Sequence, residues 1–306
     1  MNTRHARMIL AIVSEGSFTA AAKALSITQP TLSQTVRQIE TQLGEPIFLR
    51  GKTPPALTPA GALYVEAARK MVQTETQLEE AIHLLHGHAV GTLRIGLMPH
   101  RSEELLPQVL SDFWNSYPDV LINASEDDPA ALENKLIRGE LDMALVMGGH
   151  ANPRLEYRQI ASEEIVLIAG KRTALAQRIY SGSTIGLREA EKERFILPSD
   201  GHLRRQPIDD LLASCGIRPQ VCMYCDNVGA AMRACASTGL VMLCPFISLL
   251  CDSGNMQRLS HYHLGTDAYF PPFYMVYARE RPLAPYAEAL YTMLSSRFRA
   301  MTAYRA

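Results

Sequence analysis

The chain has 306 residues, of which 47% are hydrophobic and 20% charged, and its formal net charge at pH 7 is −1. That length suits two or three modules of roughly 100–150 residues each, with enough apolar residues for a proper core. Near-neutral charge argues against a general polyanion binder, and no apolar run is long enough for a signal segment or a membrane span, so a cytoplasmic protein is expected.

The first 60 residues are modestly basic, with Arg4, Arg7, Lys23, Arg37, Arg50 and Lys52 against Glu15, Glu40 and Glu45. Residues 7–14 are apolar at helical spacing, Gly16-Ser17 breaks the run, and residues 19–25 read as an Ala-rich second helix. Ser26-Ile27 turns into a third helix, with Thr28 at its N-cap and Pro30 in its first turn. Leu32, Val36 and Ile39 make one apolar stripe. The other face carries Gln29, Thr31, Ser33, Gln34 and Arg37, side chains able to bond base edges and phosphates in a major groove. Helix, short turn and polar-faced helix describe a helix-turn-helix. Residues 47–50 and 56–58 can form a hairpin, a candidate wing that brings Arg50 and Lys52 to phosphate. The expected DNA-facing set is Ser17, Thr28, Gln29, Pro30, Thr31, Ser33, Gln34, Arg37, Arg50 and Lys52.

A long helix is expected from Thr58-Pro59 to about residue 86. Tyr64, Met71, Leu78 and Leu85 recur every seven residues, with Ala68, Glu75 and Ile82 between them, a heptad seam interrupted by Glu75. A dimerising linker fits this pattern, through Tyr64, Met71, Leu78, Ile82 and Leu85. Packing of the helix on its own domain is the alternative. From Gly91 the chain alternates strands (92–97, 119–124, 143–147) with helices (102–117, 130–138). A similar order returns later, with strands at 194–197, 220–224 and 240–243 and helices at 203–215 and 227–236. A strand at 273–278 and an amphipathic helix at 284–301 complete it. The repeat suggests two α/β lobes, each a largely parallel sheet covered by helices.

All six cysteines lie between residues 215 and 251. In a reducing compartment they read most simply as free thiols packed as small hydrophobes. Cys222 and Cys225 fall on an expected strand, where residues three apart face opposite ways, and no second pair stands at zinc-site spacing, so no metal site is expected. No phosphate loop, G-x-S-x-G elbow, dinucleotide fingerprint or H-E-x-x-H is present, and no cofactor or catalytic residue is expected.

Several motifs together resemble LysR-type transcriptional regulators. They are Gly16-Ser17-Phe18-Thr19-Ala20-Ala21-Ala22, Thr28-Gln29-Pro30-Thr31-Leu32-Ser33-Gln34, Ile39-Glu40, Leu43-Gly44, Leu49-Arg50 and Leu57-Thr58-Pro59-Ala60-Gly61. The wing departs, because Lys52-Thr53-Pro54-Pro55-Ala56 lacks the extra arginine of many members. The resemblance implies a winged helix-turn-helix at 1–60, a linker helix at 61–88 and a periplasmic-binding-protein-like α/β effector domain at 89–306. Lobe one would hold about 89–161 and 266–306, and lobe two about 162–265. It also implies promoter or operator DNA, a small-molecule effector and a homodimer or homotetramer, with RNA polymerase as a further candidate partner.

In open α/β sheets ligands collect beyond the carboxyl ends of strands. The loops there contain Pro99, His100, Arg101, Ser102, Asp128, Pro129, Gly148, Ser199, His202 and Asn227. The cationic and hydroxyl groups favour a carboxylate, while Asp127 and Asp128 can hold an ammonium, so an anionic or zwitterionic effector is expected. The plainer reading is that these charges solvate the cleft rim. Family members commonly carry small hydroxyl residues near His100 and near Asp128 or Pro129, and this sequence does not. An enzyme built on the α/β body and a solute-binding protein stand as rival readings, to be separated by a turnover assay and by duplex binding of the head.

Overall fold

The computed structural model describes residues 2–49, 51–52, 54–85, 89–148, 152–202 and 204–302. The chain divides into an N-terminal unit that runs through Thr92 and a body that holds nearly all of the rest.

The N-terminal unit begins with α1 (Thr3–Glu15), α2 (Phe18–Ala24) and α3 (Gln29–Leu43). Each has a side-chain N-cap: Asn2 accepts from the His5 amide, Ser17 from Ala20 and Thr28 from Thr31. Such caps each contribute about 1 kcal/mol by satisfying amides that no helical carbonyl can reach. Gly44 ends α3 in the left-handed region at φ 78°, and its amide closes on the Glu40 carbonyl. Ile9, Ile12, Ala21, Leu32, Val36, Ile39 and Ile47 form one buried cluster, so the apolar stripe of α3 faces inward.

The wing is narrower than the expected hairpin. Among the described residues its arms share one antiparallel bridge, Phe48 to Leu57. Leu49 N donates to Ala56 O at 2.8 Å and Thr58 N to Ile47 O at 3.0 Å. Pro54 and Pro55 offer no amide to extend the ladder. Glu40 reaches from α3 to accept from the Ile47 amide at 2.7 Å, and Phe18 meets Phe48 edge-on at 5.4 Å.

Helix α4 (Pro59–Leu85) starts against the wing. Thr58 Oγ1 donates to Pro46 O and accepts from Gly61 N at 2.9 Å. A Cβ at Gly61 would stand 2.0 Å from the Ile47 carbonyl oxygen, so only glycine permits this approach. The structure corrects the expected seam at its first position. Tyr64, Val65 and Ala68 are buried in the head's own core. Glu75, the expected interruption of the seam, turns to α1. It accepts from Thr3 Oγ1 at 2.8 Å and pairs with Arg7 at 3.0 Å. Those donors hold its carboxyl below the usual range. Met71 is half-buried, and Leu78 and Ile82 are exposed by 61% and 45%, which leaves them free on the outer part of the helix. The side chain of Leu85 lies outside the described residues.

The body begins with β1 (Gly91–Leu97), α5 (Arg101–Leu105) and α6 (Leu110–Ser116). One helix was expected over 102–117. Pro107 lacks an amide, and the chain passes through a 3₁₀ turn at Leu106–Gln108 between two short helices. Next come β2 (Val120–Glu126), α7 (Pro129–Arg138), β3 (Met143–Met147), β4 (Leu155–Ser162), β5 (Ile165–Gly170) and α8 (Ala174–Arg178). They are followed by β6 (Arg194–Leu197), α9 (Arg205–Ser214), β7 (Gln220–Tyr224), α10 (Val228–Ser237) and β8 (Leu240–Pro245). The last elements are α11 (Phe246–Cys251), α12 (Ser253–Met256), β9 (Leu259–Tyr262), β10 (Pro272–Ala278) and α13 (Pro285–Thr302).

The strands form two five-stranded sheets, ordered β2-β1-β3-β10-β4 and β7-β6-β8-β5-β9. Neither is as parallel as the alternating pattern suggested. Strand β10 runs antiparallel to β3 and β4, and β5 runs antiparallel to β8 and β9. The chain passes from the first sheet to the second between β4 and β5, and returns between β9 and β10. The two crossings lie side by side, joined by Glu163 N to Pro271 O at 2.9 Å and Ile165 N to Tyr269 O at 3.0 Å. Such a double connection lets two rigid lobes flex about a short hinge.

Candidate DNA-reading face and effector cleft

On α3 the polar face is open to solvent. Thr28, Gln29, Pro30, Thr31, Gln34 and Arg37 are exposed, and Ser33 is half-buried. Thr28 and Thr31 hydroxyls meet at 2.8 Å, and Gln29 Nε2 donates to Ser33 Oγ at 3.0 Å. These contacts hold the first turn in order. Gln34 and Arg37 project one turn further along. Ser17, half-buried, spends its hydroxyl capping α2. Lys52 is exposed in the wing, and Arg50 lies outside the described residues. The surface combines amide, hydroxyl and guanidinium donors on a rigid helix, the equipment for reading base edges between phosphate anchors.

In the body a cavity of about 220 Å³ lies between the lobes. Lobe one supplies Met98, Pro99, His100, Arg101, Glu104, Asp128, Pro129 and Met147, and lobe two supplies Gly201, His202, Arg204, Asp226, Val228, Pro245 and Ser248. Of the residues expected from the sequence, Pro99, His100, Arg101, Asp128, Pro129 and His202 line it together. Gly148 lines a neighbouring cavity. The other expected residues stand aside. Ser102 gives its hydroxyl to the Glu126 carboxylate. Ser199 donates its amide to Asp226 Oδ1 at 2.8 Å. Asn227 caps α10 through Ala230 N at 2.7 Å, and its amide nitrogen lies 3.5 Å from His100 Nδ1, a contact between the lobes.

The charges are distributed differently from the sequence expectation. Arg101 is buried, with Nη1 donating to Glu104 Oε2 at 2.6 Å and Nη2 to Glu163 Oε2. Its charge is therefore already matched by two carboxylates. Asp127 pairs with Lys135 at 2.9 Å, which holds its carboxyl low. Asp128 Oδ1 accepts from Ala131 N at 2.9 Å and caps α7. Neither acid is a free ammonium seat. Burial, with Arg204 beside it, lowers the His202 pKa, so this imidazole is neutral at pH 7. The Ser199 amide keeps Asp226 ionised.

Sequence reasoning missed Glu104, Arg204, Pro245 and Ser248. Pro245 ends β8 and Ser248 follows it, so the rule placing ligands beyond strand carboxyl ends reaches both. Glu104 pairs with Arg101 three residues before it, a helical spacing that could have pointed to it, whereas Arg204 carries no local signal, because the Asp226 carbonyl that accepts from it comes from a distant segment.

The six cysteines are free. Cys215, Cys235 and Cys244 are buried in the core, where desolvation raises all three thiol pKa values, that of Cys235 to about 12. They pack as small hydrophobes. Among the described residues no group of three or more His, Cys, Asp or Glu side chains could hold a metal ion, and no helix is long and apolar enough to cross a membrane.

An exposed helix-turn-helix face and a two-lobed body with a cavity between its sheets define a DNA-binding protein with a substrate-binding domain. Residues 3–62 match the family model for bacterial regulatory helix-turn-helix proteins of the lysR family, and residues 86–299 match that for the LysR substrate binding domain. The chain belongs to the LysR family of transcriptional regulators, a family of regulators and not of enzymes. It is 29% identical over 203 residues to the uncharacterized HTH-type transcriptional regulator YybE of Bacillus subtilis strain 168, covering 66% of this chain and 68% of that one. Its fold is similar to that of a full-length OxyR variant from Pseudomonas aeruginosa, with TM-score 0.71, 19% identity and coverage of 96% of this chain and 98% of that one. It is similar also to full-length CbnR complexed with its target DNA, with TM-score 0.64, 19% identity and coverage of 97% and 99%.

Proposed function

We propose that this regulator reads operator DNA through Gln29, Thr31, Ser33, Gln34 and Arg37 of α3, with Lys52 and Arg50 at flanking phosphates, and that an anionic or zwitterionic small molecule bound between the lobes sets its activity. The observation that carries this reading is the cavity itself, walled by both lobes and bridged by the His100–Asn227 contact. A ligand there changes activity only if it binds one arrangement of the lobes better than another. With Arg101 matched internally, Arg204 remains as a cation in the wall, and His100 and the neutral His202 can offer ring N–H donors beside it. Two copies joined through the outer part of α4, at Leu78 and Ile82, would present two α3 helices to two half-sites.

The test is fluorescence anisotropy of the full-length protein on DNA upstream of its own gene, against random duplex, at varied salt. Preference for the upstream fragment, altered by members of a small carboxylate library, supports the reading. Equal affinity for both duplexes under every condition would refute it.

A further inference from the structure

Arg204 stands in the wall between two cavities. The polar one is the cleft described above. The second, about 140 Å³, is lined by apolar side chains including Ile165, Pro207, Ile208, Leu211, Leu243 and Tyr269. Met147, Arg204 and Pro245 line both. A dry apolar cavity of about 150 Å³ accommodates benzene, so this chamber has room for a six-membered ring.

The guanidinium in that wall is poorly matched. Its Nη2 donates to the backbone carbonyl of Asp226. Among the described residues no carboxylate lies within ion-pair distance of it. Glu104 and Glu163, the nearby buried acids, are both engaged by Arg101. Burial and then the neighbouring Arg101 lower the Arg204 pKa, only partly offset by the Asp226 and Glu104 carboxylates beyond pairing distance, yet an arginine stays cationic at neutral pH. A half-buried cation held by a neutral acceptor gains from an incoming anion.

We infer that the ligand is a monocarboxylate bearing a ring or branched alkyl group of about six carbons, with its carboxylate on Arg204 and its apolar arm in the second chamber. This rests on the reading of the cleft as the effector site. A dicarboxylate of equal length is rejected, since its second charge would enter a chamber lined mostly by apolar side chains.

The test uses full-length protein with labelled Ile and Met methyl groups, titrated with cyclohexanecarboxylate, acetate and cyclohexanemethanol. Cyclohexanecarboxylate should shift the Ile165, Ile208 and Met147 methyls, and the other two probes should bind at least about tenfold more weakly. Arg204→Gln and the chamber-filling Ile208→Trp should each weaken cyclohexanecarboxylate by a similar factor. Should Ile208→Trp fail to fold, the wild-type methyl shifts still decide. Shifts at Met98 without shifts at Ile208 would overturn the second chamber and leave the cleft reading standing. No shift at any of these methyls would also overturn the inference, and the cleft reading would then be judged separately by the carboxylate library on DNA binding. Equal binding of acetate or cyclohexanemethanol would overturn the pairing of anion and apolar arm.

Discussion

Arg101, in the first turn of α5, donates to Glu163 at the crossing between the lobes, and both side chains are buried. Arg101→Ala leaves two carboxylates in a low-dielectric site without their cation. It should cost about 3–5 kcal/mol, read as a lowered urea midpoint. Burial raises the Glu163 pKa despite the arginine. The folded state then holds the proton more tightly than the unfolded chain. Stability from this group is present below about pH 4.3, the unfolded value, and is lost as pH rises toward the folded one. Glu163→Gln should flatten that part of the stability–pH curve, and an unchanged curve would refute the assignment.

Glu75 behaves in the opposite sense. Thr3 and Arg7 lower its pKa, so its contribution is present at neutral pH and disappears as pH falls through the folded value. Glu75→Gln should lower the thermal midpoint at pH 7, with the difference from wild type shrinking in acid. A difference that persists at low pH would show that packing, not charge, is responsible.

Gly61→Ala should cost more than about 3 kcal/mol, because the new methyl meets the Ile47 carbonyl and not a side chain that can move. The measurable outcome is an early melt of the head and loss of duplex binding. Wild-type stability in this variant would contradict the close approach of α4 to the wing.

Gln34→Ala and Arg37→Ala should each weaken specific duplex binding by about 1–3 kcal/mol. Lys52→Ala should instead weaken all duplexes alike and reduce the salt slope by about one. Unchanged affinity at both α3 positions would move the reading face elsewhere.

Leu78→Asp should lower the solution mass measured by light scattering, because it puts a charge on the exposed outer part of α4. An unchanged mass would exclude Leu78 from the interface between copies.

The local rules were sufficient for α3. Thr28, Pro30, the Leu32–Val36–Ile39 stripe and Gly44 act within a few residues of one another, so cap, start, buried face and end are all written in adjacent positions. The same holds for the strands at 194–197 and 220–224 and for the family motifs of the head. Strand β5 was not legible in this way. Its six residues are all buried, and a strand covered on both faces shows no alternation. The antiparallel course of β5 and β10 follows from the chain crossing between lobes twice, a long-range event with no local periodicity.

The candidate cleft divides along the same line. Its loops were identifiable because strand ends and helix starts are local, and six expected residues line one cavity. The fate of their charges depended on long-range packing. Arg101 meets Glu163 across 62 positions and Glu75 meets Arg7 across 68, so neither pairing has a sequence spacing to reveal it. The order of residues was enough for most of the longer helices, most strands and the two-part plan, because caps, breaks and apolar periods act over a few residues. Folding then settled which charges are spent on one another and left Arg204 without a carboxylate in ion-pair distance among the described residues, because burial and distant neighbours together set what a charged group can still bind.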